Sequence, residues 1–284
     1  MQRPSAEVMS SGLLRVPAEI LAIVSDHLTA NDLGRLSSTV HCMPAIANRA
    51  ARRQSERETG LPYAAVLAML QLSPSSSAAF VYGAACGMAT KALVPFSEAR
   101  VTTGAAIGRI NVGGQGTHPS FGPLPPQPGD SWELFFPPVR RGSYVLAAFG
   151  GANPYHGILA IEVWLPWGHH PLASYTGDRR ELKAGVGEMD WFDRTTVYPS
   201  VRTLSVQVPV SGPVKLYGTT QARRNDSSLG YWICLNDMRL VEASEWATLQ
   251  PNFLSALSSF PGSLQAPMGQ GDISELVSSV YAAL

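Results

Sequence analysis

Residues 142–164 read GSYVLAAFGGANPYHGILAIEVW. Two alternating patterns flank the turn-rich centre of this stretch. After a Gly-Ser turn, Tyr144, Leu146 and Ala148 share one face; further on, Leu159, Ile161 and Val163 oppose Ile158, Ala160 and Glu162. Successive side chains of an extended chain point to opposite faces, so a period of two marks strands with unlike faces. The same period recurs outward from this stretch. Trp132, Leu134 and Phe136 alternate with Glu133 and Phe135. Leu204, Val206 and Val208 alternate in TLSVQV, Val214 and Leu216 follow the turn Ser211-Gly212-Pro213, and Tyr231, Ile233 and Leu235 alternate near the end. Several short strands between Gly/Pro turns predict an all-β sandwich rather than alternating βα units. Trp132, Trp164 and Trp232 fall within strands and are expected in its core. Pro119–Pro128 (PSFGPLPPQP) reads as a stiff loop leading into the first strand.

Before residue 100 the period is helical. Val16, Ile20, Leu21, Ile23, Val24 and Leu28 recur at i, i+3, i+4 spacing, with Pro17 suited to a first helical turn. Asn31 or Asp32 can cap a second short helix carrying Leu33 and Leu36. Arg49–Glu58 reads as a solvated helix, Leu61–Leu72 as another, and Ser75–Leu93 as one or two more. At the far end Ile273, Leu276, Val277, Val280, Tyr281 and Leu284 share one helical face, with Asp272 as a cap. The expected fold is α+β and multidomain: helices, an all-β jelly-roll sandwich, then a C-terminal helix. The expected segments are 12–58, a helical linker 59–100, the sandwich 101–248 and a helical tail 249–284.

Composition narrows the function. The 284 residues carry 21 Lys+Arg and 21 Asp+Glu, only 15% charged, with 45% hydrophobic. Zero net charge removes the simplest electrostatic case for nucleic acid or an anionic membrane as partner. Cys42, Cys86 and Cys234 are odd in number and widely spaced, which suggests neither a disulfide framework nor a zinc site. Residues 1–12 lack the apolar region of a signal peptide, and no stretch reads as a spanning helix, so a cytoplasmic or nuclear protein is expected.

Val16–Met43 reads VPAEILAIVSDHLTANDLGRLSSTVHCM. Val16, Pro17, Glu19, Ile20 and Leu21, then Leu28, the Asp32-Leu33 pair and Leu36, resemble an F-box, the motif by which substrate receptors dock on the Skp adaptor of cullin–RING (SCF) ubiquitin ligases. Val16 stands where the family usually has Leu, and Val40 where it often has Cys. The resemblance implies adaptor docking through Val16, Pro17, Ile20, Leu21, Val24, Leu28, Leu33 and Leu36. A motif this short cannot bury its own core, so its apolar residues need a partner or the following helices.

About Asp130–Val241 is similar to the galactose-binding-like β-sandwich common in carbohydrate-binding modules. GSYVLAAFGGANPYHGILAIEVW, SVRTLSVQVPVSGPVKLYGTTQARRND and SSLGYWICLNDMRLV carry the likeness. Such folds place function on loops at the sandwich ends. Aromatic faces stack on sugar C–H surfaces while amides and acids bond hydroxyls. The ligand-binding candidates are Trp167, Tyr175, Trp191, Asp193, Asn225 and Asp226, beside His169, His170, Asp178 and Arg223.

The combined expectation is a non-enzymatic receptor of an SCF-type ligase. Its helices would hold the adaptor and cullin ligase, and its sandwich would hold a protein substrate, possibly glycan-bearing, without cofactor. Two alternatives stand beside it. One is a stand-alone carbohydrate-binding sandwich. The other is a glycoside-processing enzyme using the acids of GEMDWFD: Glu188, Asp190 and Asp193. Adjacent His169-His170 lacks metal-site spacing, NVGGQG (111–116) lacks phosphate-loop spacing, and Cys234 sits in a strand with no positioned His.

Overall fold

The structure, a computed structural model, describes residues 18–38, 43–111, 119–165, 174–176 and 179–258. Val16, Pro17, Trp167, His169, His170, Asp178 and the 273–284 face lie outside these residues.

Among the described residues five helices come first: α1 (Ala18–Ser25), α2 (Ala30–Ser37), α3 (Met43–Thr59), α4 (Tyr63–Met69) and α5 (Ala78–Cys86). Ala47, Ala50, Ala51, Gln54 and Ser55 form the buried stripe of α3 at i, i+3, i+4 spacing. Small residues there let Leu33 of α2 and Ala78 of α5 pack close, with Leu28 and Leu36 half-buried at the margin. The cap of α2 is Thr29, not Asn31 or Asp32: its hydroxyl accepts from the Asp32 amide at 3.3 Å. It also donates to Asp32 Oδ2 at 2.6 Å, so Asp32 serves in the first turn instead.

Strand structure begins at residue 91, inside the stretch expected to be helical linker. β1 (Lys91–Pro95) alternates exposed and buried residues and pairs with the last strand. A 3₁₀ turn, Phe96–Glu98, then carries the chain from one sheet to the other. Its Phe96 ring meets Trp132 edge-on at 4.7 Å inside the core. The remaining strands are β2 (Arg100–Thr103), β3 (Ala106–Asn111), β4 (Pro119–Leu124), β5 (Ser131–Val139), β6 (Gly142–Ala152), β7 (Ile158–Leu165), β8 (Ser174–Thr176), β9 (Arg179–Asp190), β10 (Val197–Val208), β11 (Gly212–Thr220) and β12 (Cys234–Glu242). One sheet runs β10-β6-β12-β4-β3, with β1 also on β12; the other runs β2-β5-β11-β7-β9-β8. All strand pairs are antiparallel.

The two sheets enclose one core. Trp132, Leu134, Phe136, Leu159, Ile161, Val163 and Leu216 from one sheet meet Tyr144, Leu146, Ala148, Val206, Val208 and Leu240 from the other. The chain is thus a helical region followed by a β-sandwich, as its periodicities imply. The first half of the proline-rich stretch is a strand, not a loop. Prolines suit the extended backbone of β4, which pairs with β12 only through Phe121 opposite Leu235. Trp164 and Trp232 are half-buried rather than core residues. Trp164 lies on the outer face, where its indole donates to Glu162 and Lys183 stacks above it.

The helices close one end of the sandwich. Leu61, Val66, Met69 and Val81 belong to the same continuous core as Val139 and Val210. Glu58 of α3 pairs with Arg140, and the Ser211 amide donates to the Thr59 carbonyl at 2.7 Å. A sixth helix, α6 (Ala243–Ser258), covers the outer face of the first sheet, where Trp246 packs on Ala147, Phe149 and Val241.

Candidate functional site at the loop end

Strand direction sorts the loops. β6, β9 and β11 end, and β7, β10 and β12 begin, at the end opposite the helices. Three connections meet there: 153–157, 191–196 and 221–233. Main-chain bonds lace them together. The Leu229 amide donates to the Pro154 carbonyl (2.7 Å), Trp232 to Tyr155 (3.1 Å), Gly157 to Trp232 (3.0 Å), Trp191 to Gly157 (3.1 Å) and Asp193 to Asn153 (3.3 Å). Asn153 Oδ1 accepts from the Tyr155 amide at 2.8 Å, which fixes the turn of ANPYHG. Gly230 passes so close that a Cβ there would lie 2.8 Å from the Tyr155 carbonyl oxygen.

This lacing presents aromatic and polar groups on one surface. Tyr155 is 55% exposed, and Leu229 beside it is 63% exposed. The Arg224 guanidinium lies 5.2 Å above the Tyr231 ring. Asn225 Nδ2 donates to Asp190 Oδ2 at 3.0 Å, while Asp190 Oδ1 accepts from the Phe192 amide at 2.9 Å. Arg223 pairs with Glu188. Asp193 accepts from the Thr195 amide at 3.2 Å, and Asp226 is exposed. Glu188 and Asp190 share a face of β9, but each carboxylate is engaged, by a guanidinium and by an amide.

Below the surface the groups are inert. Trp191, expected in a loop as a ligand contact, has no accessible surface: it follows Met189 on the core face of the chain, under the Arg202 guanidinium at 5.5 Å. Arg202 is held there by donating to the Asp190 carbonyl at 2.6 Å. His156 is buried, and its backbone carbonyl accepts from Ser228 Oγ at 2.5 Å. Burial pushes its imidazole down to about 4, partly opposed by a bond to the Gly151 backbone, with Arg202 adding to the fall. Burial pushes the Cys234 thiol up to about 12, which leaves it a poor nucleophile. Among the described residues no three His, Cys, Asp or Glu side chains gather as a metal would need.

The sequence-derived ligand set is therefore divided. Asp193, Asn225 and Asp226 meet at the loop end, and Trp191 lies beneath them. Tyr175 is on β8, paired with Arg180 near the start of β9, and so belongs to the helical end. Tyr155 and Tyr231 were missing from that set. The Asn-Pro turn before Tyr155 is the signal that puts it at a loop tip.

The adaptor-docking set divides as well. Leu33 is fully buried and Leu21 is buried, while Leu28 and Leu36 pack against the chain's own helical core. Ile20 (48%) and Val24 (50%) are exposed, with Ile23 (59%) on the same side of α1.

No family model matches the chain. No curated protein matches it either. Val16–Met43 thus finds no F-box counterpart there. Among solved structures, a Paenibacillus xanthan lyase aligns with 53% of this chain at 16% identity and a TM-score of 0.40; the chain spans 13% of that enzyme's length. The CBM36-1 domain of a xylanase from the Trinervitermes trinervoides hindgut metagenome aligns with 54% of this chain and 98% of its own, at 12% identity and 0.33. A carbohydrate-binding module of Cellvibrio mixtus lichenase 5A, in complex with cellotriose, aligns with 53% and 96%, at 13% and 0.31. The sandwich is established by the strand pairing of this chain itself.

Proposed function

We propose that the chain is a non-catalytic carbohydrate-binding protein whose site is the loop end of the sandwich. The observation that carries this reading is the exposed Tyr155 ring at the same loop end as two paired polar groups, Asn225–Asp190 and Arg223–Glu188. An open aromatic face stacks on the C–H face of a pyranose, and amides and carboxylates exchange hydrogen bonds with its hydroxyls. The engagement of Glu188 by Arg223 and of Asp190 by Asn225 favours binding over hydrolysis, which needs one free acid and one free base or nucleophile. The test is a broad glycan array followed by calorimetry with wild type and Tyr155→Ala. Saturable binding weakened at least tenfold in the variant, with an unchanged melting temperature, supports the reading. An array with no saturable binding by folded wild type removes it.

A second reading is favoured by the Ile20, Ile23 and Val24 side of α1, which the chain leaves exposed. Here α1 docks a Skp-type adaptor, and the sandwich selects a glycan-bearing substrate. Its test is adaptor binding by wild type and Ile20→Asp/Val24→Asp. Equal binding by both, or none by either, ends it.

A further inference from the structure

His156 lies at the base of the loop end, and the bonds that lace the loops run through it and both its neighbours. Its carbonyl accepts from Ser228 Oγ at 2.5 Å, and its amide donates to the Asn153 carbonyl at 3.2 Å. On either side, the Tyr155 carbonyl accepts from the Trp232 amide (3.1 Å) and the Gly157 amide donates to the Trp232 carbonyl (3.0 Å). The residue is 1% exposed. Its imidazole donates one bond to the Gly151 backbone, and Nδ1 is sealed without a partner. The turn is therefore closed around a neutral ring. A second N–H on that ring would be buried with no acceptor.

The groups around the ring give an added proton no compensation. From β10 the Arg202 guanidinium acts on it as a like charge. Arg202 is held in place by donating to the Asp190 carbonyl (2.6 Å), Ser200 Oγ (2.9 Å) and the Val201 carbonyl (3.1 Å). The Asp190 carboxylate, at the end of β9, is taken up by Asn225 and the Phe192 amide, and Asp193 by Thr195. In the 221–233 connection Arg223 pairs with Glu188, Arg224 stacks on Tyr231, and Asp226 is exposed. On β12, Cys234 opposite Gly151 is a neutral thiol. A protonated His156 therefore has to reach water, and reaching it breaks the bonds of its own turn.

We propose that the 153–157 turn is an acid-sensitive latch: proton uptake by His156 releases the turn from the 221–233 connection and carries Tyr155 out of position, while the two sheets stay folded. Burial holds the pKa of the sealed ring down at about 4, against 6.5 for a ring in water. The open form takes up its proton first, so its share grows as pH falls from 6.5 toward 4. Between pH 7.5 and 5.0 the opening equilibrium rises about 25-fold. The consequence for sugar rests on the function proposed above; the latch itself is a property of the chain without ligand.

The test is hydrogen exchange of the full chain without sugar, at pH 7.5 and 5.0 and in sub-denaturing urea, for wild type beside His156→Gln. Protection of the Gly157, Leu229 and Trp232 amides is expected to fall about 25-fold in wild type and by less than about twofold in the variant, independently of urea. Equal falls in both proteins overturn the proposal. Exchange at these amides that follows urea as the core amides of β6 and β12 do also overturns it, because the opening is then global unfolding. Where the variant does not fold, NMR titration of the wild-type imidazole decides. The latch requires His156 to stay neutral to below about pH 5, and a ring that titrates near 6.5 overturns it. A glycan array without binding leaves these readouts unchanged, so the sugar site and the latch fall separately.

Discussion

Trp191 and Tyr155 lie at the same end of the sandwich in opposite surroundings. Trp191 is enclosed and Tyr155 faces solvent. Truncating a buried indole leaves a cavity as well as losing its transfer energy. Trp191→Ala is therefore expected to lower stability by about 3–5 kcal/mol, measured by urea unfolding. His156 adds a pH dependence. Its imidazole stays neutral in the folded chain down to about 4, while in the unfolded chain it takes up a proton near 6.5. The unfolded chain thus binds more protons between these values. The stability contributed by the neutral ring is complete above about pH 6.5 and is lost as pH falls toward 4. Between pH 7.5 and 4.5 this amounts to about 2–3 kcal/mol. Urea midpoints across that range should fall less steeply in His156→Gln than in wild type; parallel slopes would refute it.

At the scale of elements, close packing decides which substitutions the sandwich tolerates. Gly218 of β11 lies against the Trp132 indole, and a Cβ there would fall 2.2 Å from Trp132 Cζ2. Trp132 is fully buried and pinned by Phe96, so it has nowhere to retreat. Gly218→Ala is expected to cost roughly 1–3 kcal/mol through overpacking; a thermal midpoint equal to wild type would contradict this. Elements with one buried and one open face were legible in the sequence, since burial imposes the period. β5, β7 and β11 are of this kind. β1 was hidden because KALVP continues an apolar run that also fits a helix. The start of α6, six residues ahead of the helical tail expected from 249, was hidden because Pro251 lies inside the helix and, among the described side chains, Trp246 and Leu249 mark its covered side. At the site, Asn225 and Asp193 were legible as polar loop residues. The burial of Trp191 follows from its two-residue offset from Met189, a signal outweighed by the acids around it. The grouping of Tyr155 with Tyr231 depends on pairing between distant loops, which one sequence does not display.

At the scale of the molecule, helices and sandwich share a core. β1 supplies the edge partner of β12 along Asp237–Val241, and Val66 and Met69 of α4 belong to the same core as Val139 and Val210. A fragment beginning at residue 101 removes both. Calorimetry on that fragment is expected to show no cooperative transition, where residues 1–284 give a single one. An intact, wild-type-like transition from the fragment would show that the sandwich folds alone.

The placement of the helices and the laced loops at opposite ends of the strands has a further consequence. β9 and β10 are 12 residues long, so roughly 40 Å of sheet lies between the two ends. A bulky guest at one end casts no steric shadow on the other. The two candidate surfaces stand at separate tips, so a ligand saturating the loop end is expected to leave the affinity of a partner for α1 unchanged, as titrations with and without that ligand would show.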